Sequence, residues 1–591
     1  MAQICLGVEN SLRGRKWTMR CDDGAVENFA RVTGLPRIEA AIIAGRGIEA
    51  ADVETFLAPT LRETLPDPST LQDADKAAQR ILDGIKRGEN IWIFSDYDVD
   101  GGTSAAQLIR WGRAIGYDFK LYIPDRVKEG YGPSEAAFEA LKAQGADLIV
   151  TLDCGAAAHG ALKAAHDMEL SVIVIDHHLM DAAPPPAFAI MNPNRVDDSS
   201  GLEHMAAAGV TFMLVVALHR LAKARGLSPD IDLKSLLGLT ALGTVCDVVP
   251  LTGVNRTFVR QGLKVLSNTR HIGVRALADI AKAEAPFTAY HCGFVLGPRI
   301  NAGGRIGRAD MGAELLATED AQLAYAHAAE LDRVNLERRA MQTSMLDEAL
   351  AEAEKQVGNS VIVVSMEGWH PGIIGIVAGR LKDRFDTPSI VIGVNDTEDN
   401  RGREAKGSGR SIKGVNLGGA ISAAKDAGLL LSGGGHAMAG GLSMAAEKIG
   451  AFTEFINAYV AEEVAAARAN QSTNVDALLS PSAVSIELIN AIERIGPFGA
   501  GNPQPCFAFA DMRLTYAQRL KGNHVRFSFE DRSGQVLSGI CFGADEKGLA
   551  DALLAPNRGS FHIIGQVKPN HWKGRTRVDF HLLDMATTQT A

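Results

Sequence analysis

The stretch Ile91-Trp92-Ile93-Phe94-Ser95-Asp96-Tyr97-Asp98-Val99-Asp100-Gly101-Gly102 decides the fold. Four apolar residues in a row read as a strand buried on both faces, as in a parallel sheet. Three aspartates at alternate positions follow at once, and a glycine pair then leads into helical periodicity. A strand, then acids, then a helix is the first half of a βαβ unit. Ligands in open α/β sheets bind at the carboxyl ends of such strands.

The pattern repeats outward from there. Further apolar runs fall at 119–123, 148–152 and 172–175, with helical segments at 134–144 and 155–168 between them. Asp153-Cys154-Gly155 follows one run directly and Asp176-His177-His178 follows another. Asp247, in Gly243-Thr244-Val245-Cys246-Asp247, ends a further apolar segment and is a candidate to close a ring of acids. The expected fold class is α/β: a doubly wound parallel sheet, a long connecting helix, a second smaller α/β domain, and a C-terminal β-barrel of oligonucleotide-binding type. The boundaries read from composition are an N-terminal helical extension at 1–75, the acid-bearing domain at 76–312, the connecting helix at 313–357, broken at most once, the second α/β domain at 358–467, and the barrel at 474–588. The polar stretch 469–473 reads as a linker.

A chain of 591 residues exceeds what one core supports, roughly 250–300 residues, so several domains are required. The seven cysteines are widely spaced and form no C-x-x-C. That excludes a disulfide framework and a zinc ribbon, and it suits a reducing, cytoplasmic setting. No apolar run is long enough to suggest a membrane span. The net charge of −10 argues weakly against a nucleic-acid partner. Local charge reverses that: residues 511–580 carry eleven Lys/Arg against seven Asp/Glu.

An isolated Asp after a strand is more often a helix cap or turn residue than a ligand, and a lone His pair is more often structural. The Asp-x-Asp-x-Asp run could start a calcium loop, but the Glu such a loop needs is absent. Several acids delivered to one sheet edge are harder to explain structurally. Crowded carboxylates raise one another's pKa unless cations neutralise them. Carboxylates with imidazole suit Mn²⁺ or Mg²⁺, and two such ions can clamp an in-line phosphoryl displacement.

Asp96-Tyr97-Asp98-Val99-Asp100-Gly101, Asp153-Cys154-Gly155, Asp176-His177-His178 and Gly243-Thr244-Val245-Cys246-Asp247 resemble the four motifs of the DHH phosphoesterase superfamily. Gly368-Trp369-His370-Pro371-Gly372, Gly407-Ser408-Gly409-Arg410-Ser411 and Gly433-Gly434-Gly435-His436 resemble its associated second domain. Arg299-Ile300-Asn301-Ala302-Gly303-Gly304-Arg305 resembles a motif of the RecJ branch. The resemblance covers residues from about 70 to 580. It implies a 5′-to-3′ exonuclease of single-stranded DNA that serves recombination and repair. It implies that Asp98, Asp100, Asp153, His177 and Asp247 hold two ions of Mn²⁺ or Mg²⁺, with Asp96 a ligand or just behind one. His178, with Asp176, is implied to act beside the scissile phosphate. Ser95 and Gly303-Gly304 depart from the family pattern without removing a ligand.

Glycines at 433–435 and 440–441 can offer backbone N–H groups to phosphate, as nests do; a flexible turn is the alternative. Arg410 in Gly-Ser-Gly-Arg-Ser is expected to clamp phosphate oxygens, with Ser408, Ser411, Gly434, Gly435 and His436 beside it and Arg299, Asn301 and Arg305 as further DNA contacts. Phe527 and Phe529 alternate with polar residues and are expected inside the barrel. Trp572, in an expected turn, is the stacking candidate there, and Tyr131 a second one near the acids. Single-stranded DNA is the expected partner, with a helicase and a single-strand-binding protein as further ones, no membrane, and a monomer sufficing. A small-molecule phosphoesterase, such as an oligoribonucleotide or cyclic-dinucleotide hydrolase or a pyrophosphatase, is the alternative; a small substrate would not need the basic barrel. A dead binding module would require lost ligands, and none is missing.

Overall fold

The computed structural model describes residues 3–126, 128–268, 271–396, 403–556, 559–572 and 575–588. The chain forms two compact units. One contains Ala58–Met341 with Pro497–Pro503; the other contains Met1–Leu57, Gln342–Gly496 and Gln504–Ala591.

The N-terminal extension is not helical throughout. Strand β1 (Lys16–Met19) precedes the helices Asp23–Thr33 and Arg37–Ala44. It pairs in parallel with β12 (Ser472–Val475), in the stretch expected to be a linker. Both corrections have one cause. Trp17 is fully buried in a cluster with Cys5, Val8, Val475, Cys506 and Ile564, and its indole N–H donates to Asp584 at 3.1 Å. Strands of four residues with one or two buried side chains leave too little alternation for the sequence to reveal.

In the Ala58–Met341 unit, five parallel strands run in the order β3-β2-β4-β5-β6: β2 (Ile91–Ser95), β3 (Lys120–Tyr122), β4 (Leu148–Leu152), β5 (Ser171–Ile175) and β6 (Ala189–Met191). Every residue of β2 and β4 is buried. The register aligns Ser95 with Leu152 and Leu152 with Ile175. The chain therefore leaves three neighbouring strands at one sheet edge, where the Asp96, Asp153 and Asp176 amides donate to Leu152, Ile175 and Met191 carbonyls at 3.1, 2.9 and 3.2 Å. The largest hydrophobic cluster packs the helices Val99–Arg113 and Ala207–Ala224 against this sheet.

The connecting segment is the helix Met311–Ala317, a break at 318–320, and the 34-residue helix Ala321–Glu354. The other unit holds a five-stranded sheet in the order β10-β11-β9-β8-β7, from β7 (Ile362–Glu367), β8 (Ser389–Asp396), β9 (Arg403–Arg410), β10 (Ser432–His436) and β11 (Ala439–Ala445). The helix Pro371–Phe385 connects β7 to its parallel neighbour β8.

The same unit ends in a barrel of β13 (Ala477–Leu478), β14 (Phe507–Leu520), β15 (His524–Glu530), β16 (Val536–Cys541), β17 (Ser560–Trp572) and β18 (Arg575–Thr587). Pairing of β14 with β17 closes it. Phe507, Phe509, Phe527, Phe529 and Phe580 are fully buried in its interior, so Phe527 and Phe529 point inward as their alternation with polar residues requires.

Candidate metal centre

Asp98 is the N-cap of the helix Val99–Arg113, and its Oδ1 accepts from the amides of Asp100 at 2.8 Å and Gly101 at 3.1 Å. Asp100 lies in the first turn of that helix, almost wholly buried. Its two oxygens accept from the amides of Ala207 at 2.7 Å and Ala208 at 2.9 Å, at the start of another helix. Two helix N-termini thus face the pair of carboxylates, where partial positive charge favours anions. Two glycines make the approach possible. A Cβ on Gly101 would sit 2.4 Å from the Asp96 carbonyl oxygen, and one on Gly243 would sit 2.7 Å from Asp100 Oδ1.

Asp153 holds a left-handed φ of 62°. Such strain in a non-glycine residue gathers at functional sites. Asp247 arrives differently from the strand-end acids: it caps the C-terminus of the helix Leu237–Cys246. His177 Nε2 points among the acids, 3.4 Å from Asp153 Oδ1, 3.6 Å from Asp247 Oδ2 and 3.9 Å from Asp100 Oδ2. Ligand atoms lie within 4.8 Å of one another in three sets: Asp96 with Asp98 and Asp153; Asp100 with His177 and Asp247; Asp153 with His177 and His178.

The electrostatics of this cluster are those of a site built for cations. Burial, then the charge of Asp98, pushes Asp100 up to about 7. Burial and the charges of Asp100 and Asp98 push Asp247 up to about 9. Burial and neighbouring acids push Asp96 and Asp153 well above the carboxylate range. Burial and the charge of His178 bring His177 down to about 4, which keeps it the neutral imidazole that a metal requires. Asp96 Oδ1, Asp153 Oδ1 and His177 Nε2 are buried without a hydrogen-bond partner among the described residues. Most buried polar atoms in proteins are paired; here Asp153 Oδ1 lies 3.4 Å from His177 Nε2, and Asp96 shares a set of close ligand atoms with Asp153, a gathering of metal-type ligands that fits divalent cations.

His178 behaves differently. Burial opposes its charge, but Asp176, 2.7 Å from Nδ1, outweighs that and raises it to about 9. Asp176 itself is fixed by amides: Oδ2 accepts from Ala156 at 2.9 Å, and Oδ1 from His177 at 2.7 Å and His178 at 3.2 Å. Burial would raise its carboxyl, and the His178 bond and charge outweigh that to hold it below the usual range.

Several residues have placements that the sequence did not disclose. Asn194 and Asn192 donate to the carbonyls of His177 at 2.5 Å and His178 at 2.9 Å, fixing both histidines from behind. Their only sequence signal is the Asn192-Pro193-Asn194 turn after β6. Asn301 Oδ1 accepts from the Val99 amide at 3.0 Å, so it supports the Asp98–Asp100 loop. Arg299, on the same helix, is held by Asp332 at 2.8 Å and the Val295 carbonyl at 2.7 Å. Arg305 lies on that helix too, and its charge acts on Tyr97. Tyr131 donates to the Asp153 carbonyl at 3.1 Å, with its hydroxyl 3.2 Å from His178 Nδ1 and its ring half exposed against His178.

The glycine run of the other unit is a hairpin, not a nest. Gly434 pairs with Gly441, Gly435 with Gly440 and His436 with Ala439, and β10 is a sheet edge. Gly433 and Gly435 are needed because a Cβ would strike Leu430 and Ile421 at the first and the Ala439 carbonyl at the second. Without side chains such a strand has no alternation to read, which is why it resembles a loop in sequence. On β9, Arg410 donates to Ser408 Oγ at 3.0 Å and the Gly409 carbonyl at 2.8 Å. Ser411 is buried and bonds the Val415 carbonyl at 2.9 Å, a loop-fixing contact instead of an open donor. Trp572 ends β17, short of the expected turn, and its side chain lies outside the described residues.

Fold and cluster together define a metal-dependent phosphoesterase. Family models match in chain order: the DHH family N-terminal domain at 90–244, the DHHA1 domain at 358–462 and the RecJ OB domain at 475–584. The single-stranded-DNA-specific exonuclease RecJ of Bacillus subtilis is 33% identical over 97% of this chain and 71% of its own length. That of Escherichia coli is 33% identical over 86% of this chain and 90% of its own. Crystal structures of RecJ from Thermus thermophilus in complex with Mn²⁺ and with Mg²⁺ superpose with TM-scores of 0.80 and 0.75 at 27% and 26% identity, covering 97% of this chain and 79% and 78% of theirs. The chain belongs to the RecJ family of single-stranded-DNA-specific exonucleases.

Proposed function

We propose that the protein is a Mn²⁺- or Mg²⁺-dependent hydrolase that releases mononucleotides from single-stranded DNA in the 5′-to-3′ direction. The observation that carries the metal chemistry is the set of buried, unpartnered oxygen and imidazole atoms of Asp96, Asp153 and His177 converging with Asp98, Asp100 and Asp247. Those six residues would hold the metal. When bound, divalent cations polarise a phosphoryl oxygen and lower the pKa of water. The chain's own residues do the rest. His178, kept protonated by Asp176, offers an N–H to a phosphate oxygen or a proton to the leaving oxygen. Asp176 fixes the ring's orientation. Tyr131 covers the Asp153–His178 side and presents an exposed ring edge to the substrate. Ser408 and Arg410 would grip a phosphate, with the His436 hairpin beside them in the associated domain, and the basic barrel would bind the trailing strand. We propose that the work is cytosolic, in recombination and repair, on strands delivered by a helicase or a single-strand-binding protein.

The test is to incubate 5′- and 3′-labelled single strands and duplexes with Mn²⁺, Mg²⁺ or EDTA. Mononucleotides should leave the 5′ end of single strands only, and only with metal. Release from the 3′ end, or hydrolysis of dinucleotides and pyrophosphate in preference to long strands, would reject the reading.

A further inference from the structure

A second cationic site lies entirely within the unit that holds the barrel and the β7–β11 sheet. A cavity of about 400 Å³ is lined there by the N-terminal segment, the helix ends around β7 and β8, and the barrel. Five of its side chains are cationic, Arg13, Arg15, Arg384, Arg468 and Lys547, against one acid, Asp386. Among the described residues, only Arg15 of these five has a carboxylate within 4.0 Å, Asp386 at 2.5 Å. Three of the others are held by neutral oxygens. Arg468 Nη2 donates to the Asn359 carbonyl at 2.9 Å and Thr387 Oγ1 at 3.0 Å. Lys547 donates to the Leu582 carbonyl at 3.0 Å, and Arg13 to the Leu583 carbonyl at 3.4 Å. Guanidinium carries five N–H donors, so most donors around this cavity stay available.

The crowding is unfavourable as it stands. Burial, then Arg15, lowers the Arg13 guanidinium, and burial lowers the Lys547 ammonium. A multiply charged anion would relieve both. Arginine forks match phosphate oxygens in geometry as well as charge. The volume falls within the roughly 300–1,000 Å³ typical of small-molecule sites. A DNA strand fits less well, because base stacking needs several aromatic platforms and the lining offers one, Phe385.

We propose that this cavity binds a free phosphate-bearing ligand of nucleotide or pyrophosphate class, seated on Arg13, Arg384 and Lys547. No metal ligand takes part, and because three separate parts of the chain line the cavity, the ligand would tie them together.

The experiment is calorimetric titration of the Mg²⁺-loaded protein with ADP, pyrophosphate and inorganic phosphate, repeated on Arg384→Gln, Lys547→Met and, as a control at the metal centre, Asp153→Asn. ADP or pyrophosphate should bind one to one, raise the melting temperature, and weaken at least tenfold in Arg384→Gln and Lys547→Met while holding in Asp153→Asn. ADP binding more tightly than pyrophosphate assigns a nucleotide, and equal affinity assigns the phosphates alone. Arg384 lies in the last turn of the helix Pro371–Phe385 and is partly exposed, so its variant is expected to fold, and an unchanged melting temperature without ligand verifies that. No binding below 1 mM, or loss in Asp153→Asn with retention in Arg384→Gln, overturns the proposal. So does displacement of ADP by oligo(dT) with the same sensitivity to Arg384, which would assign a strand.

Discussion

At the residue scale the two adjacent histidines are driven apart. His177 is pushed down to about 4 by burial beside His178, while His178 is raised to about 9 by Asp176 despite its burial. One is held as a neutral imidazole and the other as a cation. Asp176→Asn should remove the charge that holds the second proton and leave the acid cluster intact. We expect kcat to fall about 10²–10⁴-fold, the range for a positioned general acid, and the alkaline limb of the pH–rate profile to move to lower pH. Mn²⁺ affinity by calorimetry should stay within a few-fold. Equal losses of metal binding and rate would show that Asp176 supports the ligands instead. Asp153→Asn should do the converse, abolishing cleavage and weakening Mn²⁺ while single-strand binding persists.

The same cluster governs stability without metal. Asp100 and Asp247 keep their protons in the folded chain up to about 7 and about 9, whereas unfolded carboxyls ionise near pH 4. Through that window the unfolded state binds fewer protons, so stability falls as pH rises. His178, raised to about 9, adds stability that is full below about 6.5 and is lost as pH rises through 9. His177, lowered to about 4, acts oppositely, but only below about 6.5. EDTA-treated protein should therefore melt at progressively lower temperature from pH 6.5 to 9, and the rise in melting temperature on adding Mn²⁺ should grow over the same range. A stabilisation by Mn²⁺ that shrinks with pH would contradict the cluster's assignment.

At the scale of elements, what was legible depended on side-chain periodicity. Strands β2, β4 and β5 are mostly apolar runs of four or five residues, so the sheet and the acids at its edge could be placed from sequence. Asp247 could be picked out, but not its delivery by a helix end, because a short apolar helix and a buried strand look alike without length to separate them. β10 escaped because three of its five residues are glycine, and β1 and β12 because they are short and pair over 450 positions apart in the chain. Asn192 and Asn194 were hidden, and Asn301 was picked out only as a DNA contact, for another reason: the hydrogen bonds they make to backbone leave no pattern. The β1 pairing can be tested through Trp17. Trp17→Ala should destabilise the unit by about 3–5 kcal/mol, as for a buried tryptophan, seen as a lower urea midpoint. Because Trp17 belongs to the barrel's own cluster, that loss should appear with metal-site affinity unchanged.

At the scale of the whole molecule, an acidic chain carries a basic C-terminal barrel, and the proposed function assigns that barrel the grip on the strand. Phosphate contacts release counterions, so the barrel's share of binding should show as salt dependence. A deletion beginning near residue 475 would strip Trp17 and β1 of their partners, so a fall in affinity could reflect misfolding of what is left. Charge removal on the barrel surface separates the two. Arg526 is exposed on β15, and Arg513 and Arg519 are surface residues of β14 paired to Glu530 and Asp545; exposed pairs of this kind contribute little to stability. Changing all three to Gln removes three charges without setting like charges against Glu530 and Asp545, and should leave the melting temperature nearly unchanged. If the barrel holds the strand, long oligonucleotides should bind more weakly and with a shallower slope of log K against log salt, while cleavage of strands too short to reach the barrel continues at the parent rate. A variant with the parent's affinity and salt slope for long strands would place the grip elsewhere in the chain.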